Sequence, residues 1–238
     1  MIALSHQPYS ETGSNWRTFF QHICLVLSVV LLFSLTNSPA YAQSSLREGY
    51  DYQVIPPKHP LDPDNDAVEV IEFFSYLCPH CASLEPILSQ WLSELPEQYR
   101  KGFKHVPVIF RPQWEPAARE YYTLEALGYK DTTVHASVFK AIHKDKLNFT
   151  KEAAILQWAN AHPAIDGEAF GEVFNSFSVL SKTRRSANLQ RKYDVTDVPS
   201  FVVAGRYRVP GPDFRGRQRR ILEIIETLLG QEYAKRGS

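Results

Sequence analysis

The feature that most constrains this chain is a pair of cysteines separated by two residues, in the sequence SYLCPHCASL (residues 75–84). A closed structural zinc site usually takes about four ligands from two such pairs. This chain has one pair and a single further cysteine, Cys24. A structural disulfide closing so small a loop would restrict the unfolded chain little. We therefore interpret Cys78 and Cys81 as a redox-active pair and expect no metal and no cofactor.

The residues on either side of the pair predict a strand that runs directly into a helix. Residues 67–76 are rich in β-branched and aromatic side chains and are apolar on both faces, as in a strand covered by helices on two sides. Apolar residues then recur at helical spacing over residues 84–95, with a kink expected at Pro86. Cys78 becomes the N-cap of this helix and Pro79 its first residue.

This position has a chemical consequence for the Cys78 thiol. Its sulfur would lie near the unpaired N–H groups of His80 and Cys81 and at the positive end of the helix dipole, and both favour the thiolate. His80 supplies a further stabilising donor. We therefore expect the pKa of Cys78 to be lowered, which stabilises the reduced pair and makes the disulfide a stronger oxidant.

Glu72 is the second unusual feature of the strand before the pair. It shares a strand face with Val70, Phe74 and Tyr76, where an unpaired carboxylate would cost several kcal/mol. Because the strand leads directly into the cysteine helix, we expect Glu72 to lie beneath the pair and to exchange a proton with Cys81. The alternative is an acid at the end of the sheet that reaches solvent.

The rest of the chain predicts an α/β domain interrupted by a helical block. Further strands are expected at residues 50–55 and 103–110. The block covers residues 115–193 and fits four helices, with breaks at Gly128, residues 145–150 and residues 163–167. We interpret Tyr121 as a helix core residue and His135 as an ordinary surface or core histidine. A hairpin follows, with strands at 200–203 and 206–209 around a two-residue turn, and a last amphipathic helix ends the chain.

The first 42 residues predict a cleavable signal peptide. Arg17 precedes an apolar run of thirteen residues, Ile23 to Leu35, which is shorter than the roughly 18 residues that a spanning helix needs. Small residues in Ala40-Tyr41-Ala42 suit a cleavage site. Cleavage after Ala42 would leave Cys78 and Cys81 as the only cysteines. The alternative is an uncleaved membrane anchor.

The overall charge gives no indication of a nucleic-acid partner. The full chain has 26 Lys+Arg and 26 Asp+Glu residues, so it carries no general field of one sign that would attract nucleic acid or an anionic membrane surface.

The sequence EFFSYLCPHC (residues 72–81), together with Val198-Pro199, resembles the DsbA family of thiol:disulfide oxidoreductases. The resemblance covers the order of elements from about residue 50 to the C-terminus. It implies a thioredoxin fold interrupted by an all-helical insertion. The chain would then divide into a signal peptide (1–42), an N-terminal thioredoxin part (43–112), the helical insertion (113–193) and a C-terminal thioredoxin part (194–238).

The resemblance also implies roles for individual residues. In the motif Cys78-Pro79-His80-Cys81, the first cysteine is the nucleophile that forms a mixed disulfide with substrate, and the second is the buried resolving partner. Glu72 corresponds to the buried acid near the pair and Glu85 to a second acid on the active-site helix. Pro199 falls at a cis-proline position that faces the disulfide, and Val198 would offer backbone hydrogen bonds to an extended substrate peptide.

The implied function is oxidation of thiols in newly exported periplasmic proteins. A membrane partner of the DsbB type, linked to quinone, would reoxidise the enzyme. We expect a monomer and leave a dimer open. Two alternatives remain, an isomerase or reductase on the same fold and a non-catalytic periplasmic chaperone with an inert disulfide. Pro86, a feature more typical of thioredoxins, and the lack of cysteines for a second disulfide leave the strength of oxidation open.

Overall fold

A five-stranded mixed sheet positions the cysteine pair. The computed structural model describes residues 46–56, 67–129, 132–211 and 217–236. The strands are β1 (Gln53–Val54), β2 (Val70–Phe74), β3 (Phe103–Pro107), β4 (Ser200–Val203) and β5 (Tyr207–Val209). They are arranged in the order β1-β5-β4-β2-β3. Only β2 and β3 pair in parallel, and the other neighbours are antiparallel. The predicted strands are confirmed, although those before the hairpin are shorter than predicted.

Eight α-helices lie in the described residues. They are α1 (Pro79–Glu94), α2 (Glu97–Arg100), α3 (Glu115–Ala126), α4 (Thr132–His143), α5 (Glu152–Ala161), α6 (Gly167–Phe174), α7 (Phe177–Lys192) and α8 (Gln218–Arg236). A short 3-10 helix, Pro112–Trp114, precedes α3. Five of the eight, α3 to α7, form the helical block between β3 and β4, so the predicted α/β domain with a helical interruption is confirmed.

The helical block contains one helix more than the four we predicted. The missed break separates α6 from α7, where the Ser176 side chain accepts a hydrogen bond from the Val179 N–H at 3.3 Å and caps α7. Neither Gly nor Pro marks this break in the sequence, and the apolar spacing continues across it. The apolar periodicity therefore predicts one continuous helix where the structure has two, separated by a side-chain cap.

The predicted hairpin is confirmed, but its turn is one residue longer. Ala204 and Gly205 have φ angles of 51° and 64°, as a type I′ turn requires. The Arg206 N–H donates to the Val203 carbonyl at 3.1 Å. The strand register nevertheless pairs Val203 with Tyr207, so three residues lie between the paired positions.

Strand β2 is buried on both faces, as predicted. Val70 packs with Leu84 and Leu88 of α1 and with Ile225 of α8 on one face. Phe73 belongs to a separate cluster on the other face. Full burial of such side chains stabilises the fold by about 1.5–3 kcal/mol each. The strand that leads to the cysteines and the helix that begins there are therefore held to a rigid core.

The cysteine pair itself packs against the helical block. Cys78 and Cys81 share a buried cluster with Tyr76 and with phenylalanines of the block, including Phe139 and Phe149. The predicted signal peptide, residues 1–42, lies outside the described residues, and the domain boundaries at residues 112 and 193 stay predictions. Among the residues described, no helix has the length and apolar character needed to cross a membrane.

Candidate active site

Cys78 is the N-cap of α1 and Pro79 is its first residue, as predicted. Proline is well placed there because the first N–H of a helix has no intrahelical partner. Both cysteines are free thiols in this structure. Cys78 is 8% exposed and Cys81 is 2% exposed, while Pro79 and His80 are exposed. A reacting thiol therefore has access to Cys78 and not to Cys81.

The surroundings of Cys78 stabilise its thiolate. A hydrogen bond from the Cys81 thiol is the largest effect, and the backbone N–H groups of Cys81 and His80 and the charge of His80 act in the same direction. Burial opposes them, but the pKa of Cys78 falls from an ordinary 9.0 to about 6. At pH 7 the thiolate outnumbers the thiol by about ten to one.

Cys81 has the opposite character. Burial, the hydrogen bond and charge of Cys78, and the charge of Glu72 raise its pKa well above the ordinary value. The two sulfurs are therefore chemically unequal, with Cys78 suited to be a leaving group or nucleophile and Cys81 suited to hold a proton.

The loop before β4 faces the pair. The Val198–Pro199 peptide bond is cis, as the resemblance implied. The Cys78 Sγ lies 3.5 Å from the Val198 carbonyl oxygen, to which the thiol donates a hydrogen bond when it is protonated. Val198 is half-buried against the cluster that contains the cysteines. Residues separated by 120 positions in the chain thus form one surface around the reactive sulfur.

Glu72 is buried, with 3% exposure, so the alternative of an acid reaching solvent is wrong. Its Oε2 lies 2.6 Å from Nδ1 of His105. The two residues are directly opposite each other in the parallel pair β2 and β3. Burial disfavours the His105 cation, but the hydrogen bond and charge of Glu72 outweigh it and raise the pKa of His105. No local sequence pattern assigns a role to His105, and the strand register is the signal that identifies it.

A second carboxylate and imidazole pair lies beside the first. Glu85 of α1 is buried and accepts a hydrogen bond from the Ser89 hydroxyl. The Nε2 of His135 lies 3.4 Å from Glu85 Oε2, and its Nδ1 lies 2.7 Å from the Tyr76 hydroxyl. Burial opposes ionisation of Glu85, but His135 lowers the pKa of this carboxyl below its ordinary value.

The two pairs form one cluster, which we call the imidazole–carboxylate cluster (Glu72, His105, Glu85 and His135). The imidazole rings are 5.1 Å apart, and both meet the ring of Phe74 edge to face. Our interpretation of His135 as an ordinary core or surface side chain misses this arrangement, because α4 and α1 meet only through tertiary packing.

A third buried carboxyl has no such partner. Glu120 of α3 is 0% exposed, and neither of its oxygens has a hydrogen-bond partner among the residues described. Burial raises its pKa well above the ordinary value. Within the same described residues, no group of three or more His, Cys, Asp or Glu side chains is placed to hold a metal ion.

Comparisons with known proteins identify the family to which this chain is similar. Residues 88–218 match the family model of the DSBA-like thioredoxin domain. The chain is 33% identical over 203 residues to the thiol:disulfide interchange protein DsbA of Bordetella parapertussis, which covers 83% of this chain and 92% of that protein. It is 32% identical over 212 residues to the DsbA of Burkholderia cepacia, covering 89% and 96%. The crystal structure of Pseudomonas aeruginosa DsbA gives a TM-score of 0.73 at 28% identity, covering 81% of this chain and 97% of that one.

Proposed function

The chain belongs to the DSBA-like thioredoxin domain family, and we propose that it oxidises thiol pairs in exported proteins through Cys78 and Cys81. It is a thiol:disulfide oxidoreductase with a thioredoxin-like fold and a helical insertion. The observation that carries the direction of the reaction is the stabilised thiolate of Cys78. A stabilised thiolate favours the reduced enzyme and so favours transfer of the disulfide to substrate.

The reaction begins with the Cys78–Cys81 disulfide. A substrate thiolate attacks the Cys78 sulfur, the enzyme disulfide breaks, and Cys81 leaves as a thiolate that takes up a proton. A second substrate thiolate then attacks the substrate sulfur of the mixed disulfide and releases Cys78 as a thiolate. The substrate loses two electrons and gains a disulfide, and the enzyme dithiol holds both electrons. The low pKa of Cys78 makes it the better leaving group in the second step.

The neighbours of the pair have supporting roles in this proposal. Glu72 lies close enough to act electrostatically on Cys81 and, with His105, is the proton exchange partner we propose for it. His80 stabilises the Cys78 thiolate through its charge and backbone N–H. The Val198 carbonyl beside Cys78 would accept a backbone hydrogen bond from an extended substrate peptide.

The partners and location follow from the family and the predicted signal peptide. Substrates would be unfolded or partly folded proteins with free thiols, in the periplasm. A membrane partner of the DsbB type would return the enzyme to its disulfide form. We propose that the protein acts as a monomer.

The redox equilibrium of the pair with glutathione at pH 7 tests the direction of the reaction. The two thiols are trapped with a maleimide, and the mass shift gives the reduced fraction. We expect a potential well above that of glutathione, whose cytosolic poise is roughly −220 to −260 mV. A value near the roughly −270 mV of thioredoxin would make the protein a reductase.

A second experiment separates the enzyme from the chaperone alternative. Cys78→Ala should abolish disulfide formation in a reduced client protein. Unchanged disulfide yield in the presence of the variant, together with unchanged protection of clients from aggregation, would favour a chaperone.

A further inference from the structure

A cavity of about 750 Å³ opens between β3, α1, α3 and α7. This volume is in the range of sites for small organic molecules. Neither cysteine lines it, and neither do His80 and Val198. The cavity is therefore separate from the surface that would receive a substrate thiol.

The inner surface of the cavity is aromatic. Its rings are those of Tyr76, Phe103, Tyr121, Tyr122 and Tyr129, with the imidazoles of His105 and His135. Tyr76 and Tyr122 are buried and the others are half-buried. Ring edges and faces of this kind pack favourably with a flat aromatic group, in edge-to-face or offset-stacked arrangements.

The mouth of the cavity is basic. Five cations line it: Lys101, Lys104, Lys182, Arg185 and Lys192. All are at least partly exposed. Only two acids share the lining, the buried Glu85 and the half-buried Glu125. The mouth therefore favours a negatively charged group at the solvent end of a bound molecule.

Arg185 is the cation best able to bind such a group. The ammonium of Lys182 lies 2.6 Å from Glu125, and that of Lys104 lies 3.3 Å from Glu69. Arg185 has no ion-pair partner among the residues that the structure describes. A guanidinium binds a carboxylate with two parallel hydrogen bonds.

We propose that this cavity is a binding site for an aromatic carboxylate. The ring of the ligand packs among the tyrosines, and its carboxylate meets Arg185 at the mouth. Neither cysteine lines the site, so it would persist in a variant that lacks Cys78.

Calorimetric titration of the purified protein with 2-naphthoate tests the proposal. We expect saturable binding at one site that weakens between 50 and 200 mM salt, as exposed ion pairs do. The cation 2-naphthylmethylammonium has the same ring system and should not bind. The Cys78→Ala variant should bind 2-naphthoate as the wild type does, which separates this result from any failure of the proposed oxidation.

Two neighbouring arginines of α7 provide a matched pair of variants. Arg185→Glu should weaken 2-naphthoate binding by roughly three- to tenfold. Arg184→Glu is the control, because Arg184 is exposed on the same helix but does not line the cavity. Thermal unfolding by circular dichroism checks both folds, and Arg185→Gln replaces Arg185→Glu if that variant does not fold. Absence of saturable binding, equal binding of the cation, or equal weakening in the two variants would overturn the proposal.

Discussion

The difference in unfolding free energy between the reduced and the oxidised protein should depend on pH through Cys78. The carboxylates and histidines are present in both forms, and to first approximation their titration cancels in the difference. The Cys78 thiol titrates only in the reduced form. Its folded-state pKa is depressed, so the stability that it contributes is fully present above the unfolded-state pKa and is lost as pH falls through about 6.

The magnitude follows from the two pKa values. A fall from 9.0 to about 6 is worth about 4 kcal/mol when it is fully expressed. Because pH 7 lies between the folded-state and unfolded-state pKa values, only part of this free energy is expressed there. At pH 7, Cys78 stabilises the folded reduced protein by about 1.4 kcal/mol. This corresponds to a potential about 30 mV more oxidising than that of the same pair with an ordinary Cys78. Between pH 7 and 9 the unfolding free energy of the reduced protein should rise by a further ~2 kcal/mol relative to that of the oxidised protein.

Urea unfolding of both forms at pH 4, 7 and 9 measures this difference. The absorbance of the thiolate at 240 nm gives the pKa of Cys78 directly. Cys81→Ala removes the hydrogen bond that lowers this pKa most, so the absorbance midpoint should move to higher pH in this variant. A difference in free energy that stays constant from pH 4 to 7, or a midpoint above pH 8 in the wild type, would refute the reasoning.

Three further predictions concern the other buried and charged groups. Glu120→Met removes a buried carboxyl that has no hydrogen-bond partner among the described residues, and it should raise the free energy of unfolding by about 1–3 kcal/mol. The gain should be larger at pH 8 than at pH 4, because a raised folded-state pKa costs stability as pH rises. Urea unfolding at both pH values checks this. His105→Leu leaves Glu72 buried without its partner and should cost about 3–5 kcal/mol at pH 7. Adding Glu72→Gln to this variant should restore most of the lost stability, as measured by thermal unfolding. Equal losses in the single and double variants would contradict the pairing. His80→Ala should raise the pKa of Cys78 slightly, as read from the same absorbance titration.

The junction of strand and helix at the cysteines could be predicted because each local signal agrees there. The run of β-branched residues ends at the pair, and apolar residues at helical spacing follow it. Pro79 suits the first helical position, because its φ angle is helical and its lack of an N–H costs no hydrogen bond there. The N-cap position of Cys78 follows from that geometry, as does the part of its thiolate stabilisation that comes from the backbone N–H groups and His80. The hydrogen bond from the Cys81 thiol, which is the largest effect, was not predicted. The cis bond at Pro199 came from the family resemblance, since a single X-Pro pair does not indicate its isomer.

The partners of the buried acids could not be predicted in the same way. Glu72 is recognisable as a buried acid from its strand face, but its pairing with His105 depends on which strand lies beside β2 and in which register. The contact between Glu85 and His135 requires the docking of α4 on α1, which no local pattern specifies. Sequence can thus identify an unsatisfied group, while topology decides what satisfies it.

The raised pKa of Cys81 has a consequence for timing. In the proposed reaction, two thiols compete for the mixed disulfide between Cys78 and a substrate. Attack by Cys81 would expel the substrate unoxidised, whereas attack by the second thiol of the substrate would complete its oxidation. Cys81 is held close by and would win if it were ionised, but burial and the charge of Glu72 keep it protonated. The abortive reaction is therefore slowed, and a flexible client has longer to bring its own second cysteine into reach. Under the proposed mechanism, the buried Cys81 thiol would therefore slow release of the unoxidised substrate and favour its oxidation.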